Sequence, residues 1–239
     1  MSRFYIGVFF LFLFSSSFGQ RSEYGIFAGS SYYNGELNPT KHITPVRKIS
    51  LGVLYRFNMN KRYALKFILT RNQLEANDKI TGYKFNRYRD YQLNSTFWDL
   101  SGNIEFNFLP YRIGDSRYPF TPYVFTGLTG YYASSESYFV GDGNIENKNN
   151  PQHSKTFMSV AFPFGAGFKF NVTKTIGIGI EWGMRKLFTD EFDALPDYYY
   201  NNFQKSTTFT NDWYSIVGLS LHFRPLGPNK CPGIGIGYD

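Results

Sequence analysis

The chain contains only one cysteine and no long apolar run, and each of these features limits the folds that it can adopt. Cys231 has no second cysteine in the 239 residues with which to form a disulfide. No apolar run approaches the roughly 18 residues that a membrane-spanning helix needs. The spacing of three or four residues that indicates an amphipathic helix is also lacking. The sequence therefore argues against a disulfide framework and against a bundle of membrane helices.

Alternation of apolar and polar residues over about ten positions is the main pattern present, and it is clearest in residues 97–108. There Trp98, Ile104 and Phe106 share one face of a strand, while Asp99 and Glu105 share the other. Aromatic residues make up 21% of the chain, and membrane barrels place such residues at the two lipid–water interfaces. The pattern predicts a barrel with an apolar outer wall and a polar interior. An aromatic-rich soluble β-sandwich is the alternative.

The first residues predict a signal peptide. Arg3 supplies a positive charge, residues 5–14 form an apolar stretch, and Ser17 and Gly19 place small residues at the positions that determine cleavage. Cleavage after Gly19 would leave no cysteine at the new terminus, so a lipoprotein anchor is not expected. We expect a signal peptide at 1–19, an outer-membrane β-barrel at 20–223 and a periplasmic tail at 224–239.

Eight strands can be read from the alternation. The predicted strands span residues 23–34, 48–58, 63–74, 97–108, 123–132, 157–171, 175–187 and 213–223. The connections after the first, third, fifth and seventh strands are long, and those after the second and sixth are short, as in bacterial outer-membrane barrels. The sequence therefore predicts an all-β, closed eight-stranded antiparallel transmembrane β-barrel with short periplasmic turns, long extracellular loops and a C-terminal periplasmic tail. Both termini are then periplasmic, because the strand number is even.

Charged residues fall on the inward-facing side of the predicted strands. The set comprises Arg56, Lys66, Lys169 and Arg185 against Asp99, Glu105 and Glu181. An eight-stranded barrel is only wide enough for its own side chains, so these charges must pair with one another or with trapped water. We predict a charge network that fills the lumen and no open pore. A proton or ion path through the lumen is the alternative.

No residue pattern predicts a catalytic, cofactor or metal site. The histidines His42, His153 and His222 lack the spacing of ligands or catalytic residues. A lipid-modifying barrel enzyme would need a Ser–His pair, but Ser215 and Ser220, the serines near His222, lack a nucleophile-elbow context. We expect no enzyme activity and no cofactor.

The net charge of +7 raises the question of a nucleic-acid partner. The basic residues are spread over strands and connections, however, and an exported chain rarely meets nucleic acid. We expect no nucleic-acid binding, and we expect outer-membrane lipid to surround the barrel wall.

The tail after Phe223 contains the only cysteine, within Lys230, Cys231 and Pro232. Prolines and glycines keep this segment out of the sheet, and a lone cysteine in an exported chain suggests an intermolecular disulfide or a reactive thiol. We predict that the tail binds a periplasmic partner, aided by the turn residues Asn60, Lys61 and Arg62. A buried, unpaired thiol at an interface is the alternative.

Several segments together resemble the PorG-like outer-membrane barrels of Bacteroidetes. The resemblance rests on residues 24–38, 102–108, 122–125 and 185–190 and on the Lys-Cys-Pro motif at 230–232. It implies a component of the type IX secretion and gliding machinery whose barrel contacts a periplasmic ring lipoprotein and its associated components. An OmpA-like structural or adhesin barrel that acts through extracellular loops is the second hypothesis, and a lipid-modifying enzyme is the third.

Overall fold

The computed structural model describes residues 21–34, 48–77, 91–139, 153–188 and 213–225, which form a closed barrel. Its strands are β1 (Ser22–Asn34), β2 (Lys48–Asn58), β3 (Tyr63–Asn77), β4 (Tyr91–Asn107), β5 (Phe120–Phe139), β6 (His153–Asn171), β7 (Ile176–Leu187) and β8 (Trp213–Phe223). Each strand pairs antiparallel with its sequence neighbours, and β1 also pairs with β8. The predicted closed eight-stranded antiparallel barrel is confirmed. Within these residues, no helix is long and apolar enough to cross a membrane.

The two ends of the barrel differ in their connections. At the short-turn end, β1 begins, β8 ends, and residues 59–62, 108–119 and 172–175 join the strands. At the long-loop end, residues 35–47, 78–90, 140–152 and 188–212 join them. The connections after β2 and β6 are short, as expected, with four residues each, whereas residues 108–119 form a connection of 12 residues, close to the 13 of three connections at the other end.

Along the strands, side chains alternate between an apolar outer surface and an interior that contains the buried charged groups. On β7, Ile180 points outward and is 47% exposed, whereas Arg185 points inward and is 2% exposed. Ile26 on β1 and Leu100 on β4 are likewise exposed on the outside, at 61% and 57%. Such an extensive apolar wall is the opposite of a water-soluble surface and is stable in contact with lipid.

Exposed aromatic rings lie toward both ends of the outer wall. Tyr63, Phe120 and Phe223 lie at the short-turn end, and Trp98 and Trp182 lie toward the long-loop end. Aromatic rings prefer the two interfaces of a bilayer, so the rings mark the borders of an apolar band.

Several strands are longer at the long-loop end than the sequence predicts. β4 begins at Tyr91 instead of 97, β5 spans Phe120–Phe139 instead of 123–132, and β6 begins at His153 instead of 157. Outward side chains there are polar, as at Thr96 and Ser134. Because the outward side chains are polar beyond the apolar band, the apolar outward pattern ends while the backbone ladder between the strands continues. Periodicity alone therefore ended these strands too early.

An apolar cluster fills the interior from the middle of the barrel toward the long-loop end. Phe97 and Tyr214 pack edge to face with their ring centroids 5.0 Å apart. The cluster comprises Phe27, Leu54, Ile68, Leu74, Phe97, Tyr131, Ala133, Ala161, Leu187, Tyr214 and Ile216. The interior is thus occupied by side chains, as expected for eight strands.

Candidate functional site

The charged side chains predicted to face inward all lie inside the barrel, each at most 8% exposed. Glu105 on β4 is the centre of the largest group, which we name the lumen network. Its carboxylate accepts hydrogen bonds from Arg56 Nε at 2.8 Å and from Lys169 Nζ at 2.5 Å. Lys66 Nζ lies 3.3 Å from the same carboxylate and also pairs with Glu181. The Glu105 carboxylate therefore contacts three buried cations and partly compensates the charge of each.

Asp99 and Arg185 lie apart from the lumen network, nearer the long-loop end. Arg185 Nε lies 3.3 Å from Asp99 Oδ2, and the Tyr214 hydroxyl donates a hydrogen bond to that oxygen at 2.6 Å. Ser101 donates to the other oxygen of Asp99 at 2.7 Å. Glu105 lies six positions after Asp99 on β4, or about 20 Å along a strand. The structure thus divides the predicted set into two separate groups.

Glu23 is a member of the lumen network that the sequence reading missed. It is fully buried, and its carboxylate accepts from Arg56 Nη1 at 2.9 Å and from Asn58 Nδ2 at 2.7 Å. With Glu23 included, the interior set of four basic residues faces four acidic ones. The signal was present, because Glu23 shares the parity of inward-facing Phe27. The glycines and serines of β1 weaken the alternation that would have drawn attention to it.

Aromatic rings complete the lumen network. The Tyr123 hydroxyl donates to Glu181 at 2.5 Å, and Lys169 Nζ lies 4.2 Å from the centroid of the Tyr123 ring. Lys66 Nζ lies 4.4 Å from the centroid of the Phe125 ring. These contacts surround the buried cations with acceptors and ring faces in a region of low dielectric constant, where an unpaired charge is strongly destabilising. The arrangement holds the barrel wall together from inside.

His222 and Ser220 form a buried pair, but it lacks the arrangement of a hydrolytic dyad. Ser220 Oγ lies 2.7 Å from His222 Nε2, and Arg56 Nη1 lies 3.1 Å from His222 Nδ1. Because a guanidinium only donates, Nδ1 must accept and Nε2 must hold the proton. The imidazole therefore donates to Ser220 and cannot remove its proton, as a general base must. This pair does not support the lipid-modifying hypothesis.

The connection 108–119, which we name the end cap, closes the short-turn end. Tyr111 and Ile113 are buried, at 2% and 0% exposure. Gly177 at the start of β7 leaves the space for them, since a Cβ there would lie 3.0 Å from the Tyr111 hydroxyl and 3.2 Å from Ile113. Gly114, which follows Ile113 in the end cap, has a φ of 84°, a backbone conformation that residues with a side chain rarely adopt. The alternation that predicts the strands gives no indication of this end cap.

Contacts on opposite sides of the barrel mouth hold the end cap. On one side, the Tyr111 backbone N–H donates to the Lys61 carbonyl at 2.9 Å, within the β2–β3 turn. On the other side, the Asn171 side chain donates to the carbonyls of Arg112 and Asp115 at 3.0 and 3.1 Å. The β2–β3 and β6–β7 turns lie half a circumference apart in an eight-stranded barrel. The end cap therefore spans the mouth.

Electrostatics at the end cap follow from burial and from its basic neighbours. Burial, and secondarily the Glu23 charge, raise the pKa of Tyr111 above its ordinary value. A hydrogen bond from Lys61, together with the Arg117 backbone N–H, lowers the pKa of Asp115. Burial, followed by repulsion from Arg112, lowers the pKa of Arg224.

The turn residues predicted to bind a partner have contacts within the chain. Asn60 Oδ1 accepts from the backbone N–H groups of Arg62 and Tyr63 at 2.7 and 2.8 Å. Lys61 Nζ pairs with Asp115 at 3.1 Å, and Arg62 Nη1 donates to the Phe108 carbonyl at 2.8 Å. These residues join the β2–β3 turn to the end cap, and their side chains remain exposed.

The other predicted partner residues, Lys230, Cys231 and Pro232, lie outside the described residues, as do the signal peptide at 1–19, His42 and nearly all of the tail. Within the described parts of the chain, no group of three or more His, Cys, Asp or Glu side chains is placed to hold a metal ion.

Comparison with solved structures gives similarities at low identity. The N-terminal β-barrel domain of Pseudomonas aeruginosa OprF is 13% identical, with 85% of this chain and 98% of that chain covered and a TM-score of 0.43. Neisserial surface protein A is 12% identical, with 85% and 97% covered and a TM-score of 0.47. A major outer membrane protein from Thermus thermophilus is 10% identical, with 84% and 98% covered and a TM-score of 0.49.

No curated protein matches the chain. The similarities to solved structures are too low to transfer a function from any of them. A family match, in contrast, extends over almost the whole sequence. Residues 2–233 match the profile described as a domain of unknown function, DUF6089, and the chain belongs to that family.

Proposed function

We propose that this chain is an outer-membrane barrel of the type IX secretion and gliding machinery, and that it anchors or positions a periplasmic ring complex. The apolar wall supports placement in the outer membrane, where the short turns of such barrels face the periplasm. The resemblance to PorG-like barrels of Bacteroidetes supports the choice of machinery. In this orientation the end cap and both termini face the periplasm.

The end cap is the observation on which this proposal rests. A barrel whose lumen is filled by the network around Glu105 has no path for a secreted protein, so a role in secretion must come from its surfaces. Tyr111 and Ile113 fix the cap to the barrel, and hydrogen bonds hold it from two opposite turns. A rigid surface that is ordered before binding loses less conformational entropy on docking than a mobile one. The cap therefore suits a platform for a periplasmic assembly.

The test compares the two sides of the membrane in the same strain. One variant ends after Pro225 and so loses the predicted partner-binding tail, which follows Arg224 where that residue lies against Gly114 of the end cap. Arg224 itself is kept because its backbone N–H bonds the Thr175 carbonyl. The matched variant replaces residues 140–152 at the long-loop end by a short Gly-Ser connection. Both should keep the heat-modifiable gel mobility of a folded barrel. We expect the first variant to lose secreted proteins and co-purification of periplasmic ring proteins, and the second to keep both.

A structural or adhesin barrel that acts through its outer loops is the second candidate function. The observation in its favour is the extension of β3, β4, β5 and β6 beyond the apolar band, with exposed polar side chains such as Asn94 and Thr156 on the outside. Because of these extensions, the side of the barrel formed by β3 to β6 reaches farther beyond the apolar band and would hold the loops away from the lipid. The reverse outcome of the same experiment, with secretion intact and adhesion to surfaces lost in the 140–152 variant, would favour this function.

A further inference from the structure

Basic side chains are concentrated at the short-turn end. Among the described residues at this end, the only acidic side chain outside the barrel interior is Asp115. We name the basic set the basic face; it comprises Arg21, Lys61, Arg62, Arg112, Arg117, Lys174 and Arg224. Clustered charge of one sign produces a potential that attracts a partner of the opposite sign over several ångströms.

The long-loop end shows no comparable excess in the part of the chain that the structure describes. There Lys48 pairs with Glu75 at 2.6 Å, and the remaining charged rim residues are Arg71, Lys155 and Lys186 against Glu136, a smaller basic excess than at the short-turn end. The charge of the described residues is thus distributed unevenly between the two ends of the barrel. General solubility needs charge but gives no reason for this asymmetry.

The basic face extends across the mouth of the barrel as well as around its edge. Gly114 of the end cap lies against Lys174 and Arg224, since a Cβ there would be 2.5 Å from the Lys174 carbonyl and 3.0 Å from Arg224 Nη2. Burial, and after it the charge of Arg112, lowers the pKa of Arg224. Two basic groups therefore lie near each other beside the end cap.

We propose that the basic face docks the acidic surface of a periplasmic protein. This inference rests on the proposed function, and it names the chemistry of the partner's contact surface. Arginine is enriched at protein interfaces because its guanidinium forms paired hydrogen bonds with carboxylates. Phospholipids surround the outer wall, where the exposed side chains of Tyr63 and Phe120 are apolar, but they do not cover the mouth. Basic residues on the cap therefore face the periplasm and fit a protein better than a lipid headgroup.

The test uses photo-crosslinking from the intact full-length protein in living cells. Ser116, an exposed residue of the end cap, is replaced by photoreactive benzoylphenylalanine, and Thr156 at the long-loop end gives the matched control. In the Ser116 background, Arg21→Glu, Arg117→Glu and Lys174→Glu are combined. These three side chains are exposed, and the described hydrogen bonds at these residues use backbone atoms. Arg21→Lys, Arg117→Lys and Lys174→Arg together form the charge-preserving control.

We expect Ser116 to cross-link a periplasmic protein at a segment rich in Asp and Glu. Charge reversal should lower the yield by about tenfold or more, because it replaces the attraction between close opposite charges across the interface by repulsion. The charge-preserving control should keep the yield, and replacing acidic residues of the cross-linked segment by Lys should restore binding to the reversed barrel. Heat-modifiable gel mobility checks that every variant is folded.

Two results separate this inference from the proposed function. Protein cross-links that survive charge reversal, or that map to a neutral segment, overturn the acidic partner while periplasmic docking stands. Cross-links only to phospholipid, with no protein captured from Ser116, overturn both.

Discussion

At the scale of single residues, Glu105 contacts more buried cations than any other described interior carboxylate. It is fully buried and lies within ion-pair distance of Arg56, Lys66 and Lys169. Glu105→Gln keeps the shape of the side chain and removes its charge, which leaves buried cations with too little compensation. We expect the free energy of unfolding to fall by about 3–5 kcal/mol, the usual effect of breaking a buried ion pair. Urea unfolding of the refolded protein in detergent measures it.

The same substitution at Glu75 is the control for Glu105→Gln. Glu75 pairs with Lys48 at the rim, where the lysine side chain is 41% exposed. Exposed pairs contribute about 0–1 kcal/mol, so Glu75→Gln should have little effect. Equal effects of the two substitutions would contradict the distinction between the buried network and the rim.

At the scale of elements, the end cap should respond to acid. The pKa of Asp115 is lowered below the ordinary value of 3.8 in the folded protein, chiefly by Lys61. A lowered pKa stabilises the fold above the ordinary value, and this contribution is lost as the pH falls through the lowered pKa. The Arg117 backbone N–H donates to Asp115 at 3.0 Å. We therefore expect its hydrogen-exchange protection, corrected for intrinsic rates, to fall below about pH 4.

Asp115→Asn provides the control, because an amide has no charge to lose in this range. The variant should show weaker protection at Arg117 at neutral pH and no acid transition. An unchanged acid transition in Asp115→Asn would assign the effect to another group.

Strand β4 allows the outer wall to be tested within one element. Ile104 points outward in the apolar band, and Thr96 points outward beyond it. Ile104→Arg should destabilise the barrel by about 2–4 kcal/mol and Thr96→Arg by about 0–1, since lipid does not solvate the charge near the midplane. Heat-modifiable gel mobility after assembly compares them. Normal folded yield for Ile104→Arg would contradict a lipid-facing wall.

At the scale of the whole molecule, the filled interior predicts that the barrel does not conduct ions. From the short-turn end to the long-loop end, the end cap, the lumen network and the apolar cluster follow one another along the barrel axis. Planar-bilayer recordings of the refolded protein should therefore show no stable open state. Reproducible openings whose ion selectivity changes in Glu105→Gln would contradict this and favour the ion-path alternative.

Alternation along single strands was enough to predict the strands, their facing and the closed barrel. The bounds of β2 and β8 agree with the structure, because apolar residues occupy nearly every outward position along both strands. The inward placement of Arg56 and Glu105 followed from the same parity. The parts of β4, β5 and β6 nearest the long-loop end could not be predicted, since the outward side chains beyond the apolar band need not be apolar.

The amino-acid sequence by itself determined which side chains face inward, because a strand's period of two is local and independent of its partners. Only the tertiary structure decided which inward charges meet. Glu105 meets Arg56, Lys66 and Lys169 because strand register and tilt bring residues of four different strands to the same height in the barrel. The end cap also depends on the tertiary structure. Tyr111 and Ile113 are buried because the cap packs against Gly177 and is hydrogen-bonded to turns on opposite sides of the mouth. Long-range packing of this kind leaves no periodic signal in the sequence.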